Sequence, residues 1–155
     1  LVPIVQIEAQ LQQAQQDVES ASCWKAVLDT LSKEPYAPKQ AFKSVFNRYA
    51  DNIYLAKGDD RANAYLGGGG TPSSLQTVQY MLRNDLLTNL DNVTQELQYL
   101  LRCIKEGQST VDLEANELGD LRQYFKDLTA GLKQYLDIPP KEDVREARKL
   151  AVAGR

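Results

Sequence analysis

The residues of this sequence that could do chemistry are few, and their types favour none of the common reactions. Histidine is absent, which removes the commonest general base and the commonest metal ligand. The only cysteines, Cys23 and Cys103, are far apart in the sequence. Two thiols without histidine do not form a zinc site of the usual kind, so we expect either two free thiols or one disulfide. The sequence therefore predicts no catalytic residue, no metal site and no cofactor.

Two local patterns resemble ligand-binding motifs more closely. Four consecutive glycines at 67–70 precede a predicted helix, an arrangement that can hold phosphate at a helix N-terminus. A P-loop needs a lysine and then a hydroxyl residue after its last glycine, whereas Thr71-Pro72 follows here. We interpret the run as a connector. The acidic residues at 59–60 and at 114–117 lack the spacing of a calcium loop, so we interpret them as solvated surface.

The composition is that of one folded globular domain. The chain has 155 residues, of which 43% are hydrophobic and 25% charged, and this balance differs from that of a disordered chain. The net charge of −3 gives no overall basic field for nucleic acid. No apolar run approaches the ~18–20 residues of a membrane span. The start at Leu1-Val2-Pro3 predicts a processed chain whose targeting segment has been removed.

Apolar residues recur at spacings of three and four along most of the chain, which predicts helices and no strands. One helix of about 28 residues is expected over 4–31, and three others over 42–53, 75–104 and 118–135. Gly107 is positioned to end the third helix. Four such helices joined mostly by short connections favour an all-α fold, an antiparallel up-and-down four-helix bundle.

We place this bundle in residues 1–138 and a short basic helix in residues 139–155. The second segment carries five basic and three acidic residues, so it could either dock on an acidic partner or fold back as a cap. Tyr54 and Tyr65, near the glycine run, could form a contact surface, because tyrosine is enriched at interface hot spots. The candidate partner-binding residues are therefore Tyr54, Tyr65, Lys141, Arg145, Arg148 and Lys149.

Several stretches of the second half resemble the PsbQ-type family of extrinsic photosystem II subunits, including the related algal and diatom subunits. Asn84-Asp85-Leu86 fits the family's Asn-Asp-Leu helix. The stretch from 120 to 128 and on to 135–140 resembles its later helix of spaced leucines around a phenylalanine, and the family's proline break and Ala-x-Lys turn match 139–140 and Ala147-Arg148-Lys149.

This resemblance implies a protein without catalysis, located in the chloroplast thylakoid lumen and peripheral on the membrane without spanning it. Its expected partners are intrinsic and other extrinsic subunits of photosystem II, with no nucleic acid, and its expected role is to shield the oxygen-evolving centre. An alternative is a helical-bundle adaptor that receives a partner's amphipathic helix in a surface groove. An enzyme is a third reading, but no residues of the sequence suggest an active site.

Overall fold

The structure is a computed structural model, and the residues that it describes are 1–52 and 74–153. These two ranges contain helices and no strand, so the all-α prediction is confirmed. The helices are α1 (Val2–Asp17), α2 (Ala21–Leu31), α3 (Lys39–Asn52), α4 (Ser74–Lys105), α5 (Thr110–Asn116), α6 (Leu118–Asp137) and α7 (Lys141–Ala153). The glycine run, the acidic pair at 59–60 and the predicted helix residue Ile53 lie outside the described residues.

The expected single helix over 4–31 is wrong, because α1 ends at Asp17 and a new helix begins at Ala21. Ser20, between them, has an extended backbone with φ −114° and ψ 126°. The indole Nε1 of Trp24 donates a buried hydrogen bond of 2.8 Å to the carbonyl oxygen of Val18. This bond stabilises the break, because it provides a donor for the Val18 carbonyl, which lies beyond the end of α1.

Helix α2 then folds back along α1. Residues from the two helices line one shallow groove, in which Gln10 and Gln13 of α1 face Val27 and Thr30 of α2. Beyond the end of α2, the hydroxyl of Tyr36 donates to Gln10 over 2.7 Å. The first turn of the fold is therefore at 18–20.

Helix α4 packs against α2, α3 and α6. Its polar contacts with α3 run in opposite order along the two helices, which makes the pair antiparallel: Lys39 contacts Asp91, Asn47 contacts Arg83, and Asp51 contacts Tyr80. The backbone N–H of Ala21, at the start of α2, donates to Glu114 of α5 over 2.6 Å. Since α5 follows the C-terminus of α4, this bond places α2 near the C-terminal end of α4. Helix α3 contacts residues 80–91, nearer the N-terminal end of α4.

Gly107 ends α4 as predicted, with a positive φ of 94° that favours glycine. Its N–H donates to the Ile104 carbonyl, and the next N–H, from Gln108, donates to the Cys103 carbonyl, both over 3.0 Å. This is the hydrogen-bond pattern of a Schellman cap.

The core confirms most of the predicted apolar spacing. Its largest fully buried side chains come from α1, α2, α3, α4 and α6 and include Trp24, Phe42, Phe46, Phe125 and Tyr135. Cys103 is buried and Cys23 is half-buried, and both are free thiols.

Candidate functional site

The predicted basic helix after the proline break is formed, and it packs against α1. Its buried face consists of Val144, Ala147 and Ala151, which recur at three and four residues. Leu150, three residues after Ala147, has its side chain 52% exposed. The small side chains of Ala147 and Ala151 let α7 approach α1 closely. Leu150 lies at the edge of this face and points toward solvent.

A flank of α7 next to this buried face forms an open groove with the end of α6, which we call the α7 groove. Its volume is about 780 Å³. The lining residues are Leu136 and Asp137 of α6 and, from α7, Lys141, Val144, Arg145, Arg148, Lys149, Val152 and Ala153. Since these residues extend over the whole of α7, the groove is about 18 Å long at 1.5 Å per helical residue.

Charge is distributed unevenly around this groove. Among the described residues, four basic side chains line it, together with one carboxylate, that of Asp137. Two of them have acidic neighbours: Arg148 donates to Glu8 of α1 over 3.0 Å, and Lys149 lies 3.8 Å from Glu146. Within residues 1–52 and 74–153, no such ion pair is found for Lys141 or Arg145. The groove therefore presents net positive charge on a chain whose net charge is negative.

The groove also has an apolar component. Leu136 and Val144 are buried in its floor, whereas Val152 at its far end is 73% exposed. An apolar centre with a charged rim is the usual composition of a protein docking surface. Such a surface can bind a partner.

The four predicted basic residues Lys141, Arg145, Arg148 and Lys149 thus share one groove. Tyr54 and Tyr65 lie outside the described residues. The other lining residues were not among the predicted site residues: Leu136, Asp137, Val144, Val152 and Ala153. A helical projection could have found Val152, because it lies eleven residues after Lys141 and on the same face. The two α6 residues could not be found in this way, since their position depends on how the chain turns at the prolines.

Part of the acidic surface at 114–117 has a structural role. Glu114 is half-buried and accepts the hydrogen bond from the first N–H of α2, where a helix has unpaired donors. Glu117 is exposed. Among the residues that the structure describes, no group of three or more Cys, Asp or Glu side chains could hold a metal ion.

Several titratable groups outside the α7 groove have pKa values shifted by their surroundings. Burial raises the pKa of the Glu96 carboxyl, and the nearby carboxylates of Asp120 and Glu117 raise it further. The hydrogen bonds from the Arg122 guanidinium lower the pKa of Glu19. Burial raises the pKa of Tyr135, whose hydroxyl donates to the carbonyl of Phe46 over 3.1 Å. None of these three groups lines the α7 groove, and their shifted pKa values affect how the stability of the fold depends on pH.

No family model matches the chain, and neither a curated protein nor a solved structure is significantly similar to it. None of the described helices combines the length and the apolar character that crossing a membrane requires.

Proposed function

We propose that this chain is a non-catalytic extrinsic subunit of photosystem II, peripheral on the lumenal side of the chloroplast thylakoid membrane, where it stabilises and shields the oxygen-evolving centre. The observation that carries the proposal is the α7 groove, an exposed basic surface on a chain of net charge −3. The resemblance of its second half to the PsbQ-type family supplies the assembly and the compartment.

In this proposal the helices form an up-and-down four-helix bundle with altered boundaries. The four helical segments of this bundle, each antiparallel to the next, are α1, the α2–α3 pair, α4 and α6. The fold-back of α2 on α1 and the antiparallel contacts between α3 and α4 support this order. Gly131 of α6 facing Leu86 of α4 supports it as well. A bundle of this kind is stiff enough to exclude solvent from a neighbouring site by its volume alone.

Docking would use the α7 face, with partners among the intrinsic and the other extrinsic subunits. Exposed charges at an interface rim steer and orient association more than they add affinity, which suits a subunit that must cover its site in one orientation. The chain would need no cofactor of its own. Its effect on calcium and chloride retention would come from covering the site where those ions reside.

The experiment is reconstitution of photosystem II membranes from which extrinsic subunits have been removed with about 1 M salt, a concentration that screens charges within about 3 Å. Oxygen evolution is measured under calcium or chloride limitation after adding back the wild-type chain or Lys141→Glu/Arg145→Glu. The control is Lys33→Glu/Lys126→Glu, which makes the same charge change at exposed lysines outside the groove. We expect the wild type and the control to restore activity and the groove variant to fail. Equal restoration by all three would contradict docking through α7, and no restoration by any would contradict the proposed function.

A further inference from the structure

We infer that the occupant of the α7 groove is an acidic amphipathic helix of a partner protein, with apolar residues on one face and carboxylates beside them. This inference rests on the proposed docking role of α7 and specifies the chemistry of the partner. It is carried by three properties of the groove: its length, the spacing of Lys141 and Arg145, for which the described residues provide no ion pair, and the position of its apolar residues.

The length excludes a small anion as the natural occupant. The lining residues extend from Lys141 to Ala153, which is a little over three helical turns and about 18 Å. A phosphate or a single carboxylate would cover one end and leave the rest open. A partner helix of about three turns has the same length, and helix-in-groove binding is a recurring mode of recognition.

The cations have a spacing that a helix can match. Lys141 and Arg145 are four residues apart, so they lie on one face of α7. Their Cβ atoms are about 6 Å apart. Two carboxylates at positions i and i+4 of a second helix have the same separation. The planar guanidinium of Arg145 can bind one of them through two parallel hydrogen bonds. Arg148 is already paired with Glu8, so its charge is largely offset and the occupant's carboxylates are expected to bind at Lys141 and Arg145.

The apolar residues of the groove favour an occupant that has an apolar face over one that carries charge alone. Leu136 and Val144 form the floor beside the first turn of α7, and Val152 is exposed at the last turn. Val144 and Val152 are about 12 Å apart along the axis of α7, so apolar side chains of the occupant about two turns apart would reach both places and remove Val152 from water. Their burial would also exclude water from the neighbouring ion pairs, which strengthens those pairs.

The test uses the intact chain and a fluorescent, N-acetylated peptide of about 14 residues, long enough for about four helical turns. It carries leucines on one face and glutamates at i and i+4 beside them, and binding is measured by anisotropy at low salt. Two matched peptides replace either the glutamates by glutamine or the leucines by serine. We expect the parent peptide to bind with a Kd of about 10–100 μM, which corresponds to roughly 5–7 kcal/mol.

Variants of the chain assign the binding to the groove. Lys141→Glu/Arg145→Glu should weaken it by at least about tenfold, because it replaces attraction by like-charge repulsion. Val152→Ser should weaken it by about fivefold, from the loss of apolar contact. Lys33→Glu/Lys126→Glu should leave it unchanged. Both matched peptides should bind more weakly than the parent.

Three results would overturn the inference. If the serine peptide binds as well as the parent, the groove recognises charge alone. If vesicles containing anionic phosphatidylglycerol bind the chain in a Val152-dependent manner and the peptide does not, the occupant is a lipid surface. If the chain dimerises and Lys141→Glu/Arg145→Glu abolishes the dimer, the occupant is a second copy.

The inference and the proposed function can fail separately. If Lys141→Glu/Arg145→Glu loses rebinding to stripped membranes while Val152→Ser rebinds normally and the peptide does not bind, docking through α7 stands and the helical occupant is wrong. If the double charge variant rebinds like the wild type, the docking proposal is wrong even if the peptide binds.

Discussion

Replacing Trp24 with phenylalanine tests the reversal between α1 and α2, the feature that most changes the predicted fold. The indole is fully buried and its N–H donates to the Val18 carbonyl over 2.8 Å. Removing the donor leaves a buried carbonyl unpaired, at a cost of about 1–3 kcal/mol. The smaller ring also removes roughly 40 Å³ of packed volume, which costs about 1 kcal/mol at ~24 cal/mol per Å³.

We therefore expect Trp24→Phe to lower the free energy of unfolding by about 3 kcal/mol, or Tm by roughly 6–12 °C for a chain of this size. The assay is urea and thermal unfolding by far-UV circular dichroism, since Trp24 is the only tryptophan and the variant has no indole fluorescence. The control is Phe125→Leu, which removes a smaller volume, roughly 25 Å³, from a buried ring with no polar atom and should cost about 1 kcal/mol. If both variants cost the same, the hydrogen bond does not hold the reversal between α1 and α2.

Three other predictions concern the helix interfaces. At Gly131, where an added Cβ would lie 3.1 Å from Leu86 Cδ2, alanine should be nearly neutral while valine should cost about 1–3 kcal/mol, as measured by urea unfolding. Tyr135→Phe should cost about 1–1.5 kcal/mol, because the buried hydroxyl donates to the Phe46 carbonyl; an unchanged urea midpoint would show that this bond adds no stability. The pKa of Glu96 is raised in the folded state by burial and nearby carboxylates, so stability falls as pH rises from its ordinary pKa through its raised one. Glu96→Gln should therefore raise Tm at pH 7 and leave it unchanged below about pH 4; an equal rise at both pH values would contradict the assigned cause.

The sequence predicted the helices well wherever one apolar face determines the structure. The Gly107 cap and the extents of α4 and α6 followed from spacing and from local backbone preferences. The reversal at 18–20 did not, because Val18, Ala21 and Trp24 continue the helical period through the turn. What breaks the helix there is a hydrogen bond from one buried side chain, which periodicity does not contain.

The candidate site was predictable in its charge and not in its shape. The four cations of α7 could be identified from the composition of residues 139–155, but the groove depends on how α7 packs. That packing is set by Ala147 and Ala151 against α1, whereas the larger Leu150 stays in water. A size preference of this kind appears only when the facing helix is known.

The proposed function depends on docking through the basic face of α7, which a rebinding isotherm measures. Labelled wild-type chain, Lys141→Glu/Arg145→Glu and Lys33→Glu/Lys126→Glu are titrated onto salt-stripped photosystem II membranes at about 20 mM and again at about 0.5 M salt, which brackets the range over which exposed charges become screened. We predict saturable binding of the wild type and the control at low salt, at least about tenfold weaker binding of the groove variant, and convergence of all three at high salt. Binding that is the same for the three chains at low salt would contradict docking through α7.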